Sequence, residues 1–303
     1  MAGTAETQED SQSSRIHEIW LIGLAELHAK TGTVDFWKYY GELQLLKRRP
    51  LDTRWLEAAI SMAVVGRIRP ARVTGYLNKL RNRRVKNGKR AEFDAFDALL
   101  RSYLYPERLT NHGFKINTFR DINHSTVWEQ VSQHLTSLTS AGYDVFLNSG
   151  TLLGVVRDKK LIDHDDDIDL ALILKSDTEE AAAQEWQEIK TMLERLDLFD
   201  AENYQGGAIY KLLPVGDIQI DLFPAWQSDG QFFVYPHTHG NLSCDEVLPL
   251  RKCELTGHAL PSNPEKMLEI NYGADWRDPD PLFKFPWASA NQAFGTFLER
   301  VEG

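Results

Sequence analysis

A run of aspartates that leads directly into an apolar strand is the feature that most restricts how this chain can fold. The stretch from Asn148 to Leu174 reads NSGTLLGVVRDKKLIDHDDDIDLALIL. The apolar residues before its glycine turn and after its aspartates are typical of buried strands. Because side chains alternate along a strand, Asp165, Asp167 and Asp169 are predicted to share one face. Several carboxylates are therefore expected at the edge of a core.

Such a cluster of carboxylates predicts a metal site. Crowded carboxylates repel one another and lose hydration, so they stay protonated or are neutralised by a multivalent cation. Oxygen ligands favour a hard ion, which makes Mg²⁺ or Mn²⁺ the predicted cofactor. A solvated acidic loop would not continue into the apolar residues 170–174. An EF-hand calcium loop fails in either register, because position 6 lacks glycine and position 12 lacks glutamate.

Length and composition favour a globular protein of one large or two modest domains. The 303 residues are 42% hydrophobic and 11% aromatic, which excludes a disordered chain. The net charge of −10 argues against a protein that coats nucleic acid over its whole surface. Two cysteines form no disulfide framework, and neither a membrane-span pattern nor a basic secretory start is seen. The cytoplasm is the expected location.

The spacing of apolar residues divides the chain into three expected parts. Residues 1–14 are polar and acidic and are predicted to form a disordered tail. Residues 15–108 carry five helical patterns without a fixed repeat, which predicts a small helical bundle. A connector with Pro, Gly and Asn covers 106–123, and residues 109–303 are expected to form an α/β domain with a mixed sheet flanked by helices.

A second strand in this domain carries a third aspartate. Segments 208–213 and 218–223 predict two strands of an antiparallel hairpin joined by a tight turn. A lone Asp221 between apolar residues is costly in a central strand unless something pairs with it. We therefore predict that it meets the same metal as Asp167 and Asp169, the alternative being an exposed aspartate on an edge strand.

Other residues of the stretch suit a phosphate-bearing substrate. The turn Ser149, Gly150, Thr151 precedes a predicted short helix at 152–157, and its backbone N–H groups predict an anion cradle. Arg157, and Lys211 on the hairpin, are expected to hold phosphate oxygens. His237 or His239 could contact a substrate phosphate; a zinc site joining them to the two cysteines is disfavoured by the spacing.

Positive charge is concentrated between residues 67 and 90 of this acidic protein. The cations are Arg67, Arg69, Arg72, Lys79, Arg81, Arg83, Arg84, Lys86, Lys89 and Arg90. One reading is a solvated helix end; the other is a docking face for a polyanion such as a phosphate-bearing glycan or an anionic membrane surface. Aromatics that could stack bases are absent from 79–90, which argues against nucleic acid. Membrane binding would place the protein peripherally at the inner membrane face.

The motifs together resemble a known family. SGTLLGVVRDKKLIDHDDDIDLAL resembles the signature of the LicD/fukutin family, a GTLLGxxR turn followed by a hydrophobic pair, Pro-Trp and DDDID. IDLFPAW and VLPLRKCELTGHALPSNPEKMLEINYGADW are similar to its second block, in the same order. The resemblance covers roughly residues 123–280 and leaves out the helical segment before it.

The resemblance implies a nucleotidyltransferase-type α/β fold and a phosphotransferase activity. Such enzymes move a phospho-alcohol, such as phosphocholine or ribitol phosphate, from a CDP-activated donor to a hydroxyl of a cell-surface glycan, as in capsule or teichoic acid synthesis. The resemblance implies that Asp167 and Asp169 are the metal-binding pair and Asp221 the third carboxylate. It further implies that Ser149 and Gly150 lie beside the donor phosphates and that Arg157 is the family's arginine.

One departure from the family pattern concerns the nucleotide pocket. Asp163 and His164 stand where Pro-Trp is usual, so His164 becomes a candidate contact to the donor, and the metal ligands are unaffected.

Two other functions remain open, one that uses the same residues and one that does not. An NTP-dependent nucleotidyltransferase would need the same turn and aspartates, whereas an inactive binding module would act through the basic bundle.

Overall fold

The chain divides into two compact units. The computed structural model describes the backbone of residues 3–110 and 113–302 and the side chains of residues 11–110 and 113–301. One unit is Met1–Asn117 with Pro281–Lys284, and the other is Thr118–Asp280 with Phe285–Gly303. The division falls inside the connector 106–123, and the boundary at 108/109 stays a prediction. No helix of the described part combines the length and the apolar character needed to cross a bilayer.

Helices make up most of the first unit. They are α1 (Gly3–Ala29), α2 (Phe36–Leu45), α3 (Thr53–Val65), α4 (Pro70–Lys86) and α5 (Arg90–Leu104), followed by the short antiparallel strands β1 (Arg108–Leu109) and β2 (Phe114–Lys115). Helix α3 is buried from Trp55 to Val64, as expected of a helix that is apolar on all sides. Asp52 begins it by accepting the backbone N–H groups of Arg54 and Trp55. The predicted helical region is confirmed.

Helix α1 covers most of the segment for which the sequence predicts a disordered tail. Its backbone is helical from Gly3, so the helical pattern predicted from residue 15 extends upstream. Residues 3–14 contain two glutamates, two glutamines and one alanine, all of which have good helix propensity. A polar composition therefore did not exclude a helix here.

The second unit is built around a sheet. Its elements are α6 (His124–Ser140), β3 (Val145–Leu147), α7 (Ser149–Leu153), β4 (Asp167–Ile173), α8 (Glu179–Arg195), β5 (Tyr210–Val215), β6 (Ile218–Ser228), β7 (Gln231–Val234), β8 (Thr238–Ser243), α9 (Cys244–Val247), β9 (Arg251–Lys252), β10 (Ala259–Leu260), α10 (Pro264–Tyr272), α11 (Trp287–Ala293) and α12 (Gly295–Glu302). A 3₁₀ turn at Phe119–Asp121 and a π-helical turn at Gly154–Asp158 complete it.

Six strands form the mixed sheet: five follow one another in the order β3-β4-β6-β7-β8, and the sixth, β5, pairs with β6. Strand β6 is central: β4 pairs with one edge in parallel, while β5 and then β7 pair antiparallel along the other edge. This register sets Asp169 opposite Asp221 on one side and Lys211 opposite Asp221 on the other. The predicted mixed α/β fold and the antiparallel hairpin β5–β6 are confirmed.

Strand β8 is an element that the sequence analysis missed. Its sequence THGNLS contains Gly and Asn, which are typical of turns, and only one large apolar residue, Leu242. Leu242 is buried and pairs with Phe232 of β7. Pairing with a neighbouring strand therefore overrides a weak local preference.

Candidate active site

Three carboxylates from two neighbouring strands meet at one point of the sheet. Asp167 and Asp169 lie on β4, Asp221 lies on β6, and one oxygen of each lies within 4.8 Å of the others. All three residues are less than a tenth exposed. The parallel pairing explains the meeting, since residues opposite each other in a sheet direct their side chains to the same face. The structure thus brings together the three predicted metal ligands.

Lys211 is held by one of these carboxylates. Its Nζ donates to both oxygens of Asp221, at 2.6 and 2.5 Å. An ammonium so close favours the ionised form of a carboxylate, which is the form a metal ligand needs. Lys211 therefore lies at the site as predicted, but bound to Asp221.

The glycine turn packs directly against the carboxylates. The N–H of Gly150 donates to Asp169 Oδ2 at 2.8 Å, and Thr151 Oγ1 accepts the N–H of Asp169 at 2.9 Å. A Cβ at Gly150 would lie 2.8 Å from Asp165 Oδ2 and 3.3 Å from Asp169 Oδ2. The turn thus requires glycine for a close approach, and the N–H of Gly150 is directed at Asp169, so this donor is taken from the predicted anion cradle.

The electrostatics of the cluster favour a cation. Burial, followed by the negative charge of Asp167, raises the pKa of both Asp165 and Asp169 well above the ordinary value. For Asp169, backbone hydrogen bonds from Gly150 and Thr151 lower the pKa and so oppose this shift. The donor set consists of hard oxygen atoms, and its charge is only partly balanced by Lys211. These residues fit Mg²⁺ or Mn²⁺.

Ser149 begins the turn in a left-handed conformation and contacts a histidine. Its φ is +44°, and its hydroxyl lies 3.1 Å from Nε2 of His237. The His237 ring packs against Phe285 and Phe223, with centroids 4.7 and 5.7 Å away. Burial lowers the pKa of His237 to about 3, so the ring is neutral at ordinary pH. If His237 contacts a substrate phosphate as predicted, it therefore does so as an uncharged ring beside Ser149. His239, the other histidine considered, is exposed on β8.

Arg157 lies in the π-helical turn, and its guanidinium is engaged by a neighbour. It donates to the two oxygens of Asp158 at 2.7 and 2.8 Å. Its positive charge also opposes a rise of the Tyr272 pKa. That rise comes from burial and then from the charges of Asp169 and the neighbouring aspartates. Tyr272, the last residue of α10, is a site residue that the sequence analysis did not single out.

Asn148 is a second residue that was not foreseen. It is fully buried at the end of β3, and its N–H donates to the carbonyl of Asp169 at 3.0 Å. Continuing the β3–β4 register puts its side chain on the face that carries Asp169. Neither atom of its amide has a hydrogen-bond partner within the described residues. Buried polar atoms without partners are rare, and these adjoin the carboxylate cluster.

His164 and Asp163 occupy the loop before β4. His164 is exposed, and Asp163 pairs with Lys160 at 2.5 Å. The carbonyl of Asp163 accepts the hydroxyl of Thr118 at 2.7 Å. The structure therefore puts His164 at the surface, outside the three-carboxylate cluster.

Several cations of the basic segment are paired with carboxylates. Arg67 binds Glu107, and Arg84 binds Glu57 and Glu92; Lys89 also binds Glu92, and Arg90 binds Asp94. Such pairs reduce the positive potential that the sequence alone suggests. The predicted docking face at 67–90 is therefore less uniform than its composition indicates.

A comparison with protein families agrees with this geometry. Residues 142–263 match the model described as LicD/FKTN/FKRP, nucleotidyltransferase domain. The matched range includes the glycine turn, β4 and the hairpin, and so all three clustered aspartates. No curated protein matches the chain. Over residues 142–263 the chain therefore carries a nucleotidyltransferase domain of the LicD/FKTN/FKRP family.

Proposed function

We propose that the protein is a Mg²⁺-dependent transferase. It moves a phospho-alcohol from a CDP-activated donor to a hydroxyl of a cell-surface glycan. The observation that carries this proposal is the meeting of three buried carboxylates beside the Gly150 turn. The family match supports a phosphotransferase type of function on glycans.

Asp167, Asp169 and Asp221 are the residues that would hold the ion. When bound, Mg²⁺ would neutralise the donor diphosphate and stabilise the departing nucleotide. The N–H of Gly150 and the hydroxyl of Thr151 fix the orientation of Asp169 through its carboxylate and its backbone. This keeps one ligand in place before the substrate arrives, which is how a site avoids reorganisation during the reaction.

Hydrogen-bond donors around the cluster, both cationic and neutral, would bind the phosphates of the CDP-activated substrate. An ammonium carries three donors, and two of those on Lys211 are directed at Asp221. The third is left for a phosphate oxygen, so Lys211 can hold the carboxylate and the substrate together. Ser149, whose hydroxyl contacts His237, supplies a neutral hydrogen-bond donor next to Gly150. Arg157 would contribute once a phosphate competes with Asp158 for its guanidinium.

Asp221 is the proposed acceptor of the proton from the glycan hydroxyl. A carboxylate that also accepts two bonds from Lys211 is a weaker base, because those bonds favour its ionised form. A neutral residue in place of Lys211 would therefore raise the pKa of Asp221. The activity of this Lys211 variant would then rise with pH at a higher pH than the activity of the wild type.

The same cluster would also serve an enzyme that transfers the nucleotide itself, as the description of the matched domain allows. Incubation of the purified protein with labelled CDP-alcohols, or with labelled NTPs, separates the two. We expect label from the alcohol phosphate of CDP-choline or CDP-ribitol to reach a glycan acceptor and CMP to be released. Transfer of label only from an NTP would favour the second function, and no transfer from either would favour a binding module.

A further inference from the structure

Helix α2 exposes apolar side chains on one side. Trp37 is 58% exposed and Leu45 is 88% exposed, whereas Tyr40 and Leu43 of the same helix are buried. Trp37 and Leu45 are eight residues apart, with Gly41 midway, so all three lie along one side of α2. From Trp37 to Leu45 this side of α2 is about 12 Å long.

Cations follow α2 in the chain, just beyond the end that carries Leu45. Nζ of Lys47 donates to the hydroxyl of Tyr76 on α4 at 3.3 Å. Nζ of Lys284 lies 3.6 Å from the position that a Cβ at Gly75 would take, one turn before Lys79. The segment of Lys284 is tied to α4 by the amide of Asn78, which donates to the carbonyl of Leu282 at 2.9 Å.

Lys47, Arg49, Lys79 and Lys284 thus form a cluster of like charge. Burial lowers the pKa of Lys79, and the charges of Lys284, Arg49 and Lys47 lower it further. Among the described residues none of the four has a carboxylate partner, unlike Arg67, Arg84, Lys89 and Arg90. Crowded, unpaired cations in a protein of net charge −10 are a feature that an external anion would stabilise.

We propose that Trp37, Leu45, Lys47, Arg49, Lys79 and Lys284 form a face that docks the protein on an anionic membrane surface. Charge complementarity selects the negatively charged headgroups. The exposed tryptophan and leucine select a membrane over a soluble polyanion, because such side chains enter the boundary between headgroups and acyl chains. The proposal does not depend on the transferase reaction.

The test is co-sedimentation of the full chain with vesicles. We expect binding to vesicles of phosphatidylcholine mixed with phosphatidylglycerol, weaker binding to phosphatidylcholine alone, and a decrease with salt. The variant Arg49→Gln, Lys79→Gln, Lys284→Gln should lose at least about tenfold in partition coefficient, since each cation near a membrane contributes severalfold. The variant Trp37→Ser, Leu45→Ser should also bind less.

A matched control removes the same charge elsewhere in the first unit. Lys89→Gln, Arg90→Gln, Arg101→Gln replaces three exposed cations that are paired with Glu92, Asp94 and Asp97. We expect this variant to bind nearly as the wild type, and circular dichroism should show that all variants keep the helical signal. Equal losses in control and test variants would overturn the proposal. So would binding that ignores Trp37 and Leu45, with soluble polyphosphate competing fully, because the ligand would then be a soluble polyanion.

Discussion

Asp169 is the residue on which the contacts of the site converge. Its carboxylate accepts the N–H of Gly150, its N–H donates to Thr151, and its carbonyl accepts the N–H of Asn148. We predict that Asp169→Ala lowers kcat with a CDP-alcohol by at least about 10³, the loss expected when a principal electrostatic stabiliser is removed. Steady-state assays with release of CMP measure this.

A control for Asp169→Ala comes from the same acidic run. Asp163→Asn removes a charge that pairs with Lys160 at the surface. Surface pairs contribute little, so this variant should keep most of the activity. If Asp163→Asn were as damaging as Asp169→Ala, the run would act through its total charge, and the assignment of individual ligands would be wrong.

Gly150 tests the close approach of the turn to the carboxylates. In Gly150→Ala the new methyl group would lie 2.8 Å from Asp165 Oδ2, so one of the two must move. We expect weaker Mn²⁺ binding by calorimetry, by about tenfold or more, because the shift disturbs Asp169 as well. Gly295→Ala, where a Cβ meets nothing within 4 Å, should bind Mn²⁺ like the wild type. Unchanged binding in Gly150→Ala would show that the turn does not position the ligands.

The lowered pKa of His237 predicts how the stability of the folded protein depends on pH. Its pKa of about 3 in the folded protein lies below the ordinary 6.5, so the unfolded chain binds more protons between these values. This group therefore makes stability fall as pH drops from 6.5 towards 3, by at most about 1.4 kcal/mol per pH unit. His237→Gln should lose this part of the acid sensitivity in urea unfolding at pH 7 and pH 5. Parallel pH dependences in variant and wild type would contradict the buried, neutral ring.

The residues that carry the proposed chemistry differ in how far the sequence foretold them. Asp167 and Asp169 were predicted to share a face because alternation along a strand is local. Tyr272 and Asn148 were not foreseen, since neither an isolated tyrosine nor an isolated asparagine has a pattern that shows what it will face. Their contacts depend on how α10 and β3 pack beside β4.

At the scale of elements, strand pairing was the part that local patterns left open. The hairpin β5–β6 was predicted from its tight turn, which fixes antiparallel neighbours. The parallel pairing of β4 with β6 joins strands that are far apart in the chain, and it brings Asp169 opposite Asp221. Local patterns did not give this pairing: the cost of burying a lone Asp221 indicated that such a neighbour must exist, and the family resemblance pointed to the same carboxylates.

Helix α8 supports the hairpin through one aromatic contact. Trp186 is fully buried, stacks on Tyr210 of β5 at 4.4 Å, and donates to the carbonyl of Ala208 at 2.9 Å. We predict that Trp186→Ala lowers the opening free energy of the β5 and β6 amides by about 3–5 kcal/mol. Hydrogen exchange measures this directly. Trp287→Ala, at a position 45% exposed, should cost less than about 1 kcal/mol, and an equal effect would contradict the supporting role of α8.

At the scale of the whole molecule, composition predicted two parts but not their full extent. The connector at 106–123 was visible from its Pro, Gly and Asn residues, and the units divide within it. The return of Pro281–Lys284 to the first unit was not visible, because it depends on contacts such as that of Leu282 with Asn78. Composition also did not show which cations of the basic segment 67–90 form ion pairs with carboxylates. The cations without such partners are the ones available to attract an external anion.

Anomalous diffraction from a crystal containing Mn²⁺ and CDP tests the central claim most directly. We predict one Mn²⁺ ion coordinated by oxygens of Asp167, Asp169 and Asp221, with the CDP phosphates on the same ion. The opposite result would be no ion among these three side chains, with Asp221 held by Lys211 alone and any Mn²⁺ bound elsewhere.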